Sequence, residues 1–73
     1  MIYIEQKKTI LGGTPVITGT RIPVSRLLYL LQQGYSIHDI QTDYPQLTHK
    51  TITGVIGVIA EKAEQGIFFT PEK

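Results

Sequence analysis

The stretch SIHDIQTDYPQLTHKTITGVIGVIAEKAEQ, residues 36–65, decides the fold. From Thr48 onward its apolar positions are Ile52, Val55, Ile56, Ile59, Ala60 and Ala63, the spacing of a helix with one buried stripe. Thr48 is placed as its N-cap and Gly66 as the left-handed residue that closes its far end. Upstream, Ser36 stands three residues before Asp39, close to a capping box, and Ile37, Ile40 and Tyr44 follow at helical spacing. Pro45 disfavours helical geometry at Tyr44, so this shorter helix ends there. The connection Tyr44-Pro45-Gln46-Leu47 has the length found between the two helices of a helix-turn-helix.

Working outward, Pro23 suits a helix entry, because its φ is already near the helical value and the missing N–H would have no partner there. A first helix then carries Val24, Leu27, Leu28 and Leu31 inward and Arg26, Gln32 and Gln33 outward, with Gly34 as its cap. The three helices are expected at about 24–33, 37–44 and 48–65. Ahead of them, residues 1–4 and Thr9-Ile10-Leu11 read as short strands. Gly12-Gly13-Thr14-Pro15 is a turn signal, and Val16-Ile17, Thr18-Gly19 and Thr20-Arg21-Ile22-Pro23 fit a small hairpin with both prolines at strand ends. The fold class is therefore mainly α, one domain over residues 1–73: a β segment (1–23), a three-helix bundle (24–65) and a tail (66–73).

The 73 residues, 41% hydrophobic and 18% charged, have an ordinary globular balance. No run approaches the ~20 apolar residues that span a bilayer, so no membrane partner is expected. With no cysteine there is neither a disulfide staple nor a thiolate metal site, and no secretory leader opens the chain; a cytoplasmic protein is expected. A core this small is commonly completed by a second subunit, so a homodimer is expected too. The net charge is +1 but unevenly spread. Residues 1–35 carry Lys7, Lys8, Arg21 and Arg26 against Glu5, a balance of +3; residues 36–65 carry Lys50 and Lys62 against Asp39, Asp43, Glu61 and Glu64, a balance of −2.

The run Pro15-Val16-Ile17-Thr18-Gly19-Thr20-Arg21-Ile22-Pro23-Val24 resembles the family of small prokaryotic proteins catalogued as domain of unknown function 433. The resemblance continues through Gly34-Tyr35-Ser36-Ile37, Asp39-Ile40 and Asp43-Tyr44-Pro45-Gln46-Leu47-Thr48, spanning about residues 9–63. It implies a homeodomain-like helix-turn-helix domain behind a short β segment. It also implies an antitoxin of the VapB-like kind that neutralises a PIN-like nuclease toxin and regulates its own transcription. The chain departs from the family pattern at Gly54-Val55-Ile56-Gly57-Val58, where base contacts are expected, and in its short tail, where toxin contact is expected.

A major-groove reader needs donors and acceptors on the first turns of an exposed helix, with cations placed to meet phosphates. The candidate DNA-binding residues are His49, Lys50, Thr51 and Thr53 on the last helix, joined in a dimer by Lys7, Lys8 and Arg26. Glu61 and Glu64 would repel a duplex, and a polar face that is merely solvated is the plainer reading. Gly54 and Gly57 each cost about 1 kcal/mol against alanine in a helix interior, so they imply a close approach to the backbone, by a phosphate or, beside Val58, by a partner helix. Candidate partner-binding residues are thus Gly54, Gly57 and Val58, with Ile67, Phe68 and Phe69 of the tail, which need a cover: the chain's own N-terminal segment near Ile2 and Ile4, a second copy, or a toxin groove. Arg21, beside the hairpin turn, is placed to clamp Asp39 or Asp43 bidentately, or to reach a phosphate; the internal clamp is preferred.

His38 and His49 lie on different helices without a third ligand, so no metal or other cofactor is expected. A catalytic pocket has little room in so small a chain, and the acids Asp39 and Asp43, four apart on a helix, read as a solvated pair; no enzyme is expected. The leading expectation is an antitoxin-like protein that also binds DNA, and the alternative is a dimeric interaction module without DNA.

Overall fold

The computed structural model describes residues 2–66. Strand β1 (Ile4–Glu5) pairs antiparallel with β2 (Val16–Ile17), Ile4 opposite Ile17 and Glu5 opposite Val16. Helices α1 (Val24–Gln32), α2 (Ile37–Asp43) and α3 (His49–Glu64) follow. The fold is a mainly α domain behind a two-stranded β segment.

The expected strand at Thr9-Ile10-Leu11 does not form. Ile10 N–H donates to Lys7 O, and Leu11–Gly13 make a single 3₁₀ turn in which Leu11, Gly12 and Gly13 have φ of 49°, 65° and 97°. Two glycines that accept left-handed backbone reverse the chain here, and Leu11 is carried into the same region with them.

The expected hairpin is present. Thr20 N–H donates to Ile17 O across a turn whose third residue is Gly19, at φ 81°, and Ile17 N–H donates to Ile22 O. Pro23 bridges Val16 and then caps α1 in an extended conformation, so both prolines flank pairing without interrupting it.

α1 ends in a Schellman motif: Gly34, at φ 92°, donates to Leu31 O and Tyr35 donates to Leu30 O. The capping box of α2 is complete, Asp39 N–H donating to Ser36 Oγ at 3.0 Å and Ser36 N–H to Asp39 Oδ2 at 2.9 Å. Thr48 caps α3 by accepting from Thr51 N–H at 3.1 Å, and Gly66 closes it at φ 79°.

The core is Ile17, Val24, Leu27, Leu30, Ile40, Leu47, Ile52 and Val55. Leu47, in the connection between α2 and α3, is fully buried and ties the helix-turn-helix together. The expected stripe of α1 is corrected at one position: Leu30 is buried, and Leu28 is 39% exposed.

On α3 only Ile52 and Val55 are fully buried, and both lie in its first half. This helix has 16 residues, so its second half extends past the core with Ile56, Val58, Ile59 and Ala63 only half-covered. No helix among the described residues is long and apolar enough to cross a membrane.

Candidate functional site

Two surfaces of α3 differ in chemistry. The first is the polar face of its opening turns. His49, Lys50 and Thr53 are exposed there and stand together. The Thr53 hydroxyl donates back to His49 O at 2.9 Å and lies 3.2 Å from Lys50 O, so its proton is already engaged by the helix. Thr51 is turned the other way: it is half-buried, and its hydroxyl accepts from Thr48 Oγ1 at 3.0 Å within the cap.

Lys7, Lys8 and Arg26 are exposed, as the footprint of a cationic surface requires. The Lys7 charge is partly compensated, its ammonium lying 3.4 Å from Glu5 Oε1. Glu5 also accepts at Oε2 from Gly19 N–H at 3.0 Å, joining β1 to the hairpin turn. That backbone donor, with Lys7 beside it, holds the Glu5 carboxyl below the usual carboxylate range.

The Arg21 clamp is not formed. Arg21 is exposed and makes no ion pair or side-chain hydrogen bond with Asp39 or Asp43, and Asp39 is committed to Ser36. The Ser36 backbone N–H, then its hydroxyl, pull the Asp39 carboxyl below its ordinary value. An acid at the third position of a helix is satisfied by its own cap, and that local partner leaves a distant guanidinium nothing to hold.

The second surface is a groove of about 500 Å³ between α1, the β segment and the second half of α3. Ile4, Pro15, Val24, Leu28, Val58 and Ile59 make its apolar wall, and Gln6, Thr14 and Ser25 supply its neutral polar groups. Lys62 is its only charged lining residue among the described residues. Of the expected partner-binding residues, Val58 belongs to this groove.

Gly54 does not. A Cβ on Gly54 would stand 2.5 Å from Tyr3 Cζ, so the backbone approach anticipated there is made by the chain's own tyrosine and not by a partner helix. Gly57 has nothing within 4 Å of a would-be Cβ and stays open. Ile67, Phe68 and Phe69 lie outside the described residues.

Leu28, Ile4, Pro15 and Lys62 escaped the sequence reading. A signal existed for Leu28, because Leu27, Leu28, Leu30 and Leu31 are too many for one narrow stripe on a helix.

Residues 4–57 match the family described as "Protein of unknown function (DUF433)". The fold is similar to the crystal structure of a DUF433 member protein from Anabaena variabilis ATCC 29413, with a TM-score of 0.75 and 29% sequence identity over 89% of this chain. The chain spans 64% of the length of that protein. No curated protein gives a significant match. With the family pattern running from β1 into the middle of α3, and the same architecture in a solved member, this chain belongs to the DUF433 family.

Proposed function

We propose that the protein is an antitoxin-like interaction module that binds a cognate PIN-like nuclease through the apolar groove, with DNA contact by the first turns of α3 as a linked activity. The observation that carries this reading is the second half of α3. Its aliphatic side chains lie beyond the core, and with Leu28 of α1 they wall a groove of the size and apolar character that captures a partner's side chains. The same half of the helix carries Glu61 and Glu64 on its exposed side, which suits a protein partner better than a duplex.

Co-expression with the product of the adjacent open reading frame tests the proposal. The unaltered chain is expected to co-purify with that product and suppress its nuclease activity. Val58→Asp and Leu28→Asp are expected to abolish both while leaving the helical circular dichroism intact, because neither side chain is fully buried. Full neutralisation by both variants would remove the groove from the interface. Absence of any complex, with the chain sedimenting as a self-associated species, would favour a dimeric module instead.

A further inference from the structure

We propose that the groove between α1 and the second half of α3 takes an amphipathic helix of the partner protein, one that presents two aliphatic side chains a turn apart and a carboxylate to Lys62. This rests on the function proposed above, in which the groove seats the partner, and it specifies the chemistry of what sits there.

The two helical walls are built alike. α1 lines the groove with Val24, Ser25 and Leu28, and α3 lines it with Val58, Ile59 and Lys62, in each case at positions i, i+1 and i+4. Four residues rise about 6 Å along a helix, so each wall offers little more than one turn. Two apolar side chains one turn apart on a facing helix match that length.

Lys62 sets the charge of the occupant. It follows Ile59 by three residues and Val58 by four, so its aliphatic stem continues their wall, and it is half-buried, as a lysine laid along an apolar surface is. Among the described residues it makes no ion pair, and no acid lines the groove. A partner without a carboxylate would cover this cation and leave it uncompensated; one with a carboxylate would pair it.

The backbone of the occupant has to bring its own hydrogen bonds. Besides Lys62 the described lining offers only the polar side chains of Gln6, Thr14 and Ser25, and the Thr14 hydroxyl already donates to Leu11 O at 2.9 Å. An extended segment would turn N–H and C=O groups toward an aliphatic wall, whereas a helix satisfies them internally. A second depression of about 300 Å³ shares Val58 and Lys62 with the groove and touches Ile2, which is 80% exposed. Apolar surface therefore continues past Lys62, which suits a segment of several turns better than one inserted side chain.

The probe is a displayed library of random peptides about 14 residues long, near the length at which helices hold in water. It is selected on the immobilised full chain and counter-selected on the Leu28→Asp variant. Enriched peptides are expected to share aliphatic residues at i and i+4, with one Asp or Glu within a turn of them. A synthetic peptide of that consensus is expected to lose ~10-fold or more in affinity for the Lys62→Glu variant, because like charges then meet. Exchanging the peptide's acid for lysine is expected to restore binding to that variant, which also shows the variant to be folded. An alternating apolar pattern, a consensus without an acid, an affinity unmoved by Lys62→Glu, or a loss that the exchanged peptide does not restore would overturn this inference alone. No enrichment over Leu28→Asp would overturn it together with the groove as the partner's seat.

Discussion

Tyr3 presses the end of its ring against the backbone of Gly54, where a Cβ would lie 2.5–2.6 Å from Cζ, Cε1 and Cε2. This contact joins the N-terminal strand to the middle of α3 and explains a glycine that the helix would otherwise disfavour. Alanine at Gly54 gains about 1 kcal/mol of helix propensity but drives the ring out of its place, and forced overpacking costs about 1–3 kcal/mol. Gly54→Ala is therefore expected to destabilise the chain in urea unfolding. In a Tyr3→Ala background the same change is expected to stabilise it, and an effect independent of residue 3 would show that the ring does not set the preference. Gly57→Ala, with open space above it, is expected to stabilise by up to about 1 kcal/mol in either background.

Local rules made the helical part of the fold legible. Ser36 with Asp39, Thr48 and the two terminal glycines act within a few residues of themselves, and the structure places each where the spacing put it. The misreadings came from local turns and caps at some positions and from distant neighbours at others. Thr9-Ile10-Leu11 has strand-like residues, but Lys7–Ile10 and Leu11–Gly13 close as turns. Leu28 and Leu30 are two positions, about 200°, apart on a helix, so they flank the Leu27 side, and only the placement of the β segment and α3 decides which is covered. Arg21 failed as a clamp because Asp39 already had a partner three residues away. The groove was not legible at all, since it arises where three elements meet and none of them announces it.

The cap of α2 makes a pH-dependent contribution. Asp39 and Glu5 both have carboxyls held below their ordinary range by backbone donors, so each stabilises the fold fully above the unfolded carboxylate range, near pH 4. That stabilisation is lost as pH falls through the lowered folded values. Melting temperature is expected to fall on acidification below about pH 4, and Asp39→Asn with Glu5→Gln is expected to flatten that fall. Ser36→Ala, which removes the hydroxyl acceptor at the N-cap, is expected to cost about 0.5–2 kcal/mol at neutral pH.

Leu11 is the one non-glycine among the described residues with a left-handed backbone, at φ 49°, and 49% of it is exposed. Left-handed geometry costs an L-residue roughly 1–2 kcal/mol, and little burial offsets that here. Leu11→Gly is expected to raise unfolding stability by about 1 kcal/mol, and Leu11→Val to lower it, because β-branching suits this region least. Equal stabilities for the two variants in chemical denaturation would show that the turn does not hold residue 11 in this conformation.

The DNA contact proposed above draws on the first half of α3 and leaves out the second. Lys50 is exposed on the first turn, and a lysine that meets a phosphate contributes through counterion release whatever the sequence. Lys50→Ala is therefore expected to weaken binding to all duplexes alike and to reduce the slope of log affinity against log salt by about 1. Thr53 is exposed beside it, but its hydroxyl proton is held by the helix backbone, so it can only accept from a base or present its methyl group. Thr53→Ala is expected to shift sequence preference with little change in salt slope, and Thr53→Val, which keeps the methyl, to retain more of that preference. Glu61 and Glu64 sit on the exposed side of the second half, away from these turns. Their replacement by lysine is expected to strengthen non-specific binding, most visibly at low salt where screening is weakest. Titrations of a labelled duplex between low and moderate salt check all of these changes together, and an affinity that does not move with salt would remove the electrostatic basis for DNA contact by this helix.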